Sequence, residues 1–151
     1  MPPSENESST AEALQVKAKH ERLRFSEFKF DRTTDGRCNA LVELEWWDGL
    51  KVRGMASGQS SATVDLRVAA EAALRALELF SDNVLSFELA GIKAIRAFDA
   101  TVIIVSIANR RTDGPPRLLG SALVETDPVR GAVIATLGAT NRMLGNFVAL
   151  R

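Results

Sequence analysis

Lys51-Val-Arg-Gly-Met-Ala-Ser-Gly58 runs into the alanine-rich stretch Leu66 to Phe80, and Arg117-Leu-Leu-Gly-Ser-Ala-Leu-Val124 runs into Pro128 to Leu144. Each passage reads as a strand ending in Gly-x-Ala followed by an amphipathic helix. Gly54 matches Gly120, Ala56 matches Ala122, Ala69 matches Ala132, Leu74 matches Leu137 and Ala76 matches Ala139, with a shorter connection in the second copy. An internal repeat of this kind defines the architecture before any chemistry is considered.

Working outward, Leu23, Phe25, Phe28 and Phe30 alternate as in a strand, and the slip of phase at Ser26-Glu27 predicts a bulge or a short turn. Asp31 to Arg37, with Asp35-Gly36, reads as a hairpin turn. Cys38 to Trp47 reads as the next strand, with Val42, Leu44 and Trp46 on one face, and Asp48-Gly49 turns the chain into the first Gly-x-Ala strand. Ser61 or Thr63 is placed to cap the helix that follows. On that helix Val68, Ala72, Arg75 and Leu79 form one line, Ala69, Ala73, Leu77 and Phe80 lie beside it, and Arg67, Glu71 and Glu78 point outward. Ser81-Asp-Asn83 ends it.

The second half repeats the order. Phe87 to Phe98 and Thr101 to Asn109 read as strands joined near Asp99, and the polar hairpin Arg110 to Pro116 leads to Leu118 to Val124. Thr126-Asp127-Pro128 is a helix start, and Gly145 is expected to stop that helix near Leu144. The fold class is therefore α+β: two pseudo-symmetric βββα repeats, about 23–80 and 85–145, with antiparallel sheets packed against two helices. They form a single domain, 21–151, behind a flexible N-terminal tail, 1–20, rich in Ser, Glu and Pro.

A chain of 151 residues suits one domain, and 19 basic against 19 acidic side chains leave no net charge to attract nucleic acid. The apolar run Ala100 to Ala108 is too short to span a bilayer, so no membrane partner is expected. Cys38 has no second cysteine to pair with, and the N-terminus lacks the basic start and apolar stretch of a signal peptide, which points to the cytoplasm. Val102 and Ile104 alternate with Ile103, Val105 and Ile107, so both faces of that strand are apolar. One face needs a cover that its own helix does not supply, which favours a homodimer or packing between the repeats.

Catalytic chemistry is poorly supplied. His20 is the only histidine and lies among charged residues, Cys38 has no histidine near it in sequence, and no metal-ligand spacing or phosphate-binding loop occurs. Asp65, Asp99 and Asp127 each sit at a helix start or turn, where a structural role suffices. No enzyme activity, metal or cofactor is expected. The two Gly-x-Ala strands allow two readings: small residues before a helix N-terminus can admit a carboxylate to its free amides, or they can let the helix pack tightly on the sheet.

These residues also resemble a family. Gly54-Met-Ala-Ser-Gly58 leading through Thr63-Val64-Asp65 into an alanine-rich helix, and Gly120-x-Ala-x-x-x-x-Asp127 leading to Ala139-Thr-Asn-Arg-Met-Leu144, are similar to the C-terminal regulatory domain of 2-isopropylmalate synthase. The likeness covers about Arg24 to Gly145. It implies two βββα units, dimerisation, and binding of a small metabolite such as an amino acid, with Gly54, Ala56, Gly58, Asp65, Gly120, Ala122 and Asp127 facing the pocket. It does not extend to the catalytic barrel, and Ala62-Thr63 replace the Gly-Pro step common before Val-Asp-Ala. The expectation is a non-catalytic homodimeric module that senses a metabolite or docks on a protein partner. An RNA-binding module is the alternative, because three strands followed by an alanine-rich helix also resemble a double-stranded RNA-binding domain. Asp65 stands where that reading needs basic residues.

Overall fold

The computed structural model describes residues 23–111 and 114–149; the expected tail, and His20 with it, lie outside them. Strands β1 (Arg24–Arg32), β2 (Arg37–Glu45) and β3 (Lys51–Gln59) precede helix α1 (Ala62–Phe80), and β4 (Phe87–Ala97), β5 (Ala100–Asn109) and β6 (Arg117–Val124) precede helix α2 (Pro128–Ala149). Each strand triplet is its own antiparallel sheet, ordered β1-β2-β3 and β4-β5-β6. The fold class read from the repeat is the fold observed.

Local chemistry explains the joints. The register slips between Phe25 and Glu27, where the phase of the apolar residues changes. Gly36 and Gly49 take positive φ in the first two hairpins. The β4-β5 turn is different: Phe98 and Asp99 stand at φ 55° and 57° with no glycine. Two successive left-handed residues fit a tight hairpin, but a bulky side chain there costs about 1–2 kcal/mol. Ser61 caps α1, its hydroxyl accepting from Val64 N at 3.1 Å. Asp127 caps α2 the same way, accepting from Arg130 N at 3.1 Å.

Inward-facing residues alternate along every strand. Cys38, Ala40, Val42 and Leu44 of β2 lie against α1, and Ile103, Val105 and Ile107 of β5 lie beneath α2. Helix α1 touches β2 and β3 on one side and α2 and β4 on the other, so it is buried around most of its circumference. This corrects part of the helical reading. Glu78, expected outside, is buried: it accepts from Phe87 N at 2.9 Å and pairs with Arg75 at 2.9 Å, while Arg75 and Leu79 are exposed. Trp46 is buried 5.4 Å from the Phe80 ring, and its neighbour Trp47 faces outward.

The two glycines of the repeat are where helix meets strand. A β-carbon on Gly54 would overlap the Ala72 carbonyl oxygen and the Ala76 nitrogen, and would stand 2.9 Å from Ala76 Cα. One on Gly120 would overlap the Ala135 carbonyl oxygen and stand 2.9 Å from Ala139 N. The paired alanines thus occupy matching places. Gly54 precedes its cap, Ser61, by the same number of residues as Gly120 precedes Asp127. The length difference between the copies therefore lies in an extra turn at the start of α1, which returns the chain to the same face, and not in the connection. Gly145 has no positive φ, and α2 continues through it to Ala149, beyond the expected stop.

Gly54→Ala and Gly120→Ala will each destabilise the fold by about 3 kcal/mol, because backbone on the other side cannot give way. Gly138 lies exposed in α2 with nothing within 4 Å of an added β-carbon, and Gly138→Ala will stabilise by up to about 1 kcal/mol. Thermal melts of the three variants, followed by circular dichroism, check both signs at once.

Candidate functional site

The seven residues singled out from sequence divide into two groups. Gly54, Ala56 and Gly58 lie on the inner face of β3, and Gly120 and Ala122 on the inner face of β6. Gly58 is covered by Val64 and Val68, whose nearest methyl groups stand 3.0 and 3.2 Å from the place a β-carbon would take, and Gly54 and Gly120 lie under helix backbone. Ala56 and Ala122 are half-buried against the same core. The helices fill these corners, as the tight-packing reading requires.

Asp65 and Asp127 behave differently. Both line one cleft of about 510 Å³ where the starts of the two helices converge on the seam between the repeats. Phe28, Phe30 and Arg32 of β1 form one wall, Ala94 of β4 and Thr101 of β5 another, and Leu66 and Val129 add apolar surface beside the two acids. The guanidinium of Arg32 lies 5.0 Å over the Phe30 ring, and that of Arg130 lies 4.8 Å over Phe25. A second hollow, of about 450 Å³, lies on the outer face of the first sheet beside Leu41 and Met55.

Asp65 is held from several directions. Its Oδ2 accepts from Arg32 Nε at 3.1 Å and Nη2 at 2.7 Å, and its Oδ1 accepts from Ser60 Oγ at 2.8 Å. Burial pushes its carboxyl up, but the hydrogen bonds from Arg32, Ser60 and Cys38 together outweigh burial and hold it below the ordinary value of 3.8. The same arrangement acts oppositely on Cys38. Burial first, and then the adjacent Asp65 carboxylate, push the thiol above its usual 9.0, so it stays protonated and inert at neutral pH.

Glu43 forms a second charged centre, on the outer face of the first sheet. Arg53 Nε lies 2.8 Å from it, Lys51 Nζ 3.8 Å, and Ser26 Oγ 3.0 Å. The Arg53 hydrogen bond is the main reason its carboxyl sits below the usual 4.5. Among the described residues no group of three or more His, Cys, Asp and Glu side chains is placed to hold a metal, and no helix is long and apolar enough to cross a membrane.

Sequence reasoning finds the two acids as first-turn and capping residues but misses the wall opposite them. Phe28 and Phe30 read as strand alternation, and nothing in the local pattern marks Arg32 as the partner of a residue in α1. The available signal is the inward phase of Arg32, which falls opposite Cys38 on the buried side of the sheet.

Asp65 and Glu43 both titrate lower in the folded chain than in an unfolded one. Their contribution to stability is therefore complete at neutral pH and is lost as the pH falls below about 4.5 and through their folded values. Asp65→Asn will cost about 1–2 kcal/mol at pH 7, an amount reduced by the solvent exposure of Arg32, and will make the acid limb shallower. Chemical unfolding at pH 7 and pH 4 measures both effects. No protein-family model matches the chain, and no curated protein matches it in sequence.

Proposed function

We propose that this chain is a non-catalytic regulatory module that works as a homodimer and senses a small metabolite in the cleft between its two repeats. The observation that carries the reading is the mixed lining of that cleft. A guanidinium, two carboxylates and the start of two helices stand beside Phe28, Phe30, Leu66 and Val129. Such a lining suits a small amphiphile with charges of both signs and an apolar side chain, for which an amino acid is the simplest candidate. The sequence resemblance to the regulatory domain of 2-isopropylmalate synthase points to the same ligand class. The proposed site lies at the helix starts rather than under the Gly-x-Ala corners, which have no space for a ligand.

The RNA-binding alternative finds little support in this geometry. Helix α1 has no broad free face to lay on a duplex, and its first turn carries Asp65 turned inward. Arg24 pairs with Glu45, and Arg110 with Glu88, so these cations serve local ion pairs.

Titration calorimetry with the branched-chain amino acids tests the sensing role directly. Saturable binding is expected, and with ligand at about a hundred times its dissociation constant the fold will gain about 2.7 kcal/mol against unfolding. Asp127→Asn and Arg32→Ala will weaken the binding at least tenfold, about 1.4 kcal/mol or more, if each carries one charged contact. No heat and no melting shift with any member of this class would remove the amino-acid reading.

A further inference from the structure

The two sheets are built on one plan but present different outer faces. Registering Val42 and Gly54 on Val105 and Gly120 puts Glu43 opposite Arg53 in the first sheet where Ser106 stands opposite Leu119 in the second. Asn39 and Ser57 in the first sheet correspond in the same way to Val102 and Leu123 in the second. The first outer face is satisfied in water at its centre by the ion pairs of Glu43 with Arg53 and Lys51, although Met55 on the same face is 69% exposed. The second is not: Leu119 and Leu123 are 69% and 67% exposed, and Ile95 and Ile104 lie beside them at 36% each.

Phe98 sits at the end of this face, 95% exposed, on the tip of the β4-β5 hairpin. It is the one residue other than Gly, Asn or Asp at positive φ among the described residues. The hairpin tips at Gly36, Gly49 and Gly114 use glycine for that conformation. Here the chain instead carries both a strained backbone and a fully exposed ring at one position, neither of which helps a lone chain.

We propose that the outer face of the β4-β5-β6 sheet, with Phe98 as its anchor, is the surface on which two copies of this chain pair. The inference rests on the homodimeric reading above and identifies the interface. The size of the face fits this occupant. Ten residues of β5 at about 3.3 Å each and three strands at about 4.8 Å give a face of about 33 by 14 Å. Two such faces cover roughly 1,000 Å² in projection, the threshold for a specific interface before side-chain relief and the Phe98 ring are added. The chain has no net charge, so two copies do not repel in bulk, although Lys93 and Arg117 share this face opposite Ile104 and Ala108. The flat β-branched surface of Val102 and Ile104 suits sheet-on-sheet packing with its own copy. At its middle lies the Ser106 hydroxyl, a buried oxygen without a hydrogen-bond partner among the described residues.

The test is sedimentation velocity over a wide dilution series, on the full chain and on two variants. Leu119→Lys with Leu123→Glu places charges at positions that are exposed in the protomer, and Phe98→Asn replaces the strained ring with a residue that tolerates the turn. The wild type will sediment as a dimer. Each variant will dissociate at least tenfold more readily while keeping its circular dichroism spectrum, and the Phe98→Asn protomer will melt no lower than the wild-type protomer at equal, dissociating concentration. A wild type that is monomeric at every concentration overturns the homodimeric reading and this interface together. A dimeric wild type whose variants remain equally dimeric overturns the interface alone, and places the contact elsewhere.

Discussion

A helix can lie against a strand at backbone distance only where the strand beneath it offers no side chain. Gly54 and Gly120 meet that condition once in each repeat, and Ala72, Ala76, Ala135 and Ala139 meet it from the helix side. The approach draws each helix deep onto its own sheet and leaves room for the two helices to touch each other. Burial of α1 on nearly every side follows, and so does its composition, because alanine buries helix surface at the smallest cost in volume and side-chain entropy. The hydrophobic core is continuous across both repeats for the same reason.

The close contact also accounts for the position of the cleft. With the strand glycines sealed under the helices, the remaining space at the seam lies at the helix starts, where the two caps and the first turn of α1 come together. Arg32 reaches across from β1 to neutralise Asp65, and the same residue stacks on Phe30. One guanidinium therefore ties the first sheet to α1 and also shapes the wall of the proposed site. Asp65 has a structural duty in that arrangement and Asp127 has one as a cap, so any ligand would meet groups already fixed in place, at little cost in ordering them.

Whatever depends on near neighbours is legible in the sequence. The bulge at Ser26-Glu27, the turns at Gly36 and Gly49, the break at Ser81 and the cap at Asp127 are each written within a few residues, and each is found in the structure. The glycine repeat is legible too, because duplication shows spacing that a single copy would hide. Periodicity fails where burial is not one-sided. It assigns Glu78 to solvent on the assumption that a helix has an outside, whereas α1 is enclosed and Glu78 instead satisfies the amide of Phe87. Gly145 suggests a stop although α2 needs none there. The cleft is illegible because its walls come from both halves of the chain, and no local pattern relates Phe28 and Arg32 to Thr101 and Asp127.

The two copies differ most where they do not touch each other. Inner positions are constrained by the helices, so Val42 and Val105, and Gly54 and Gly120, remain interchangeable in role. Outer positions are constrained only by what lies beyond them. In the first sheet Glu43, Arg53 and Lys51 form a charged group whose oxygens and nitrogens are matched, the arrangement expected of a surface that faces water. Ser106 and Leu119 take the places of Glu43 and Arg53 and remove that ion pair, while Arg117 keeps a cation at the place of Lys51. A solvent-facing sheet would gain nothing from that exchange, and a ring held in a left-handed turn beside it adds a conformational cost. On the proposed reading the second outer face is the one covered by a copy of the chain, and the shared plan of the repeats makes the contrast between the two faces readable.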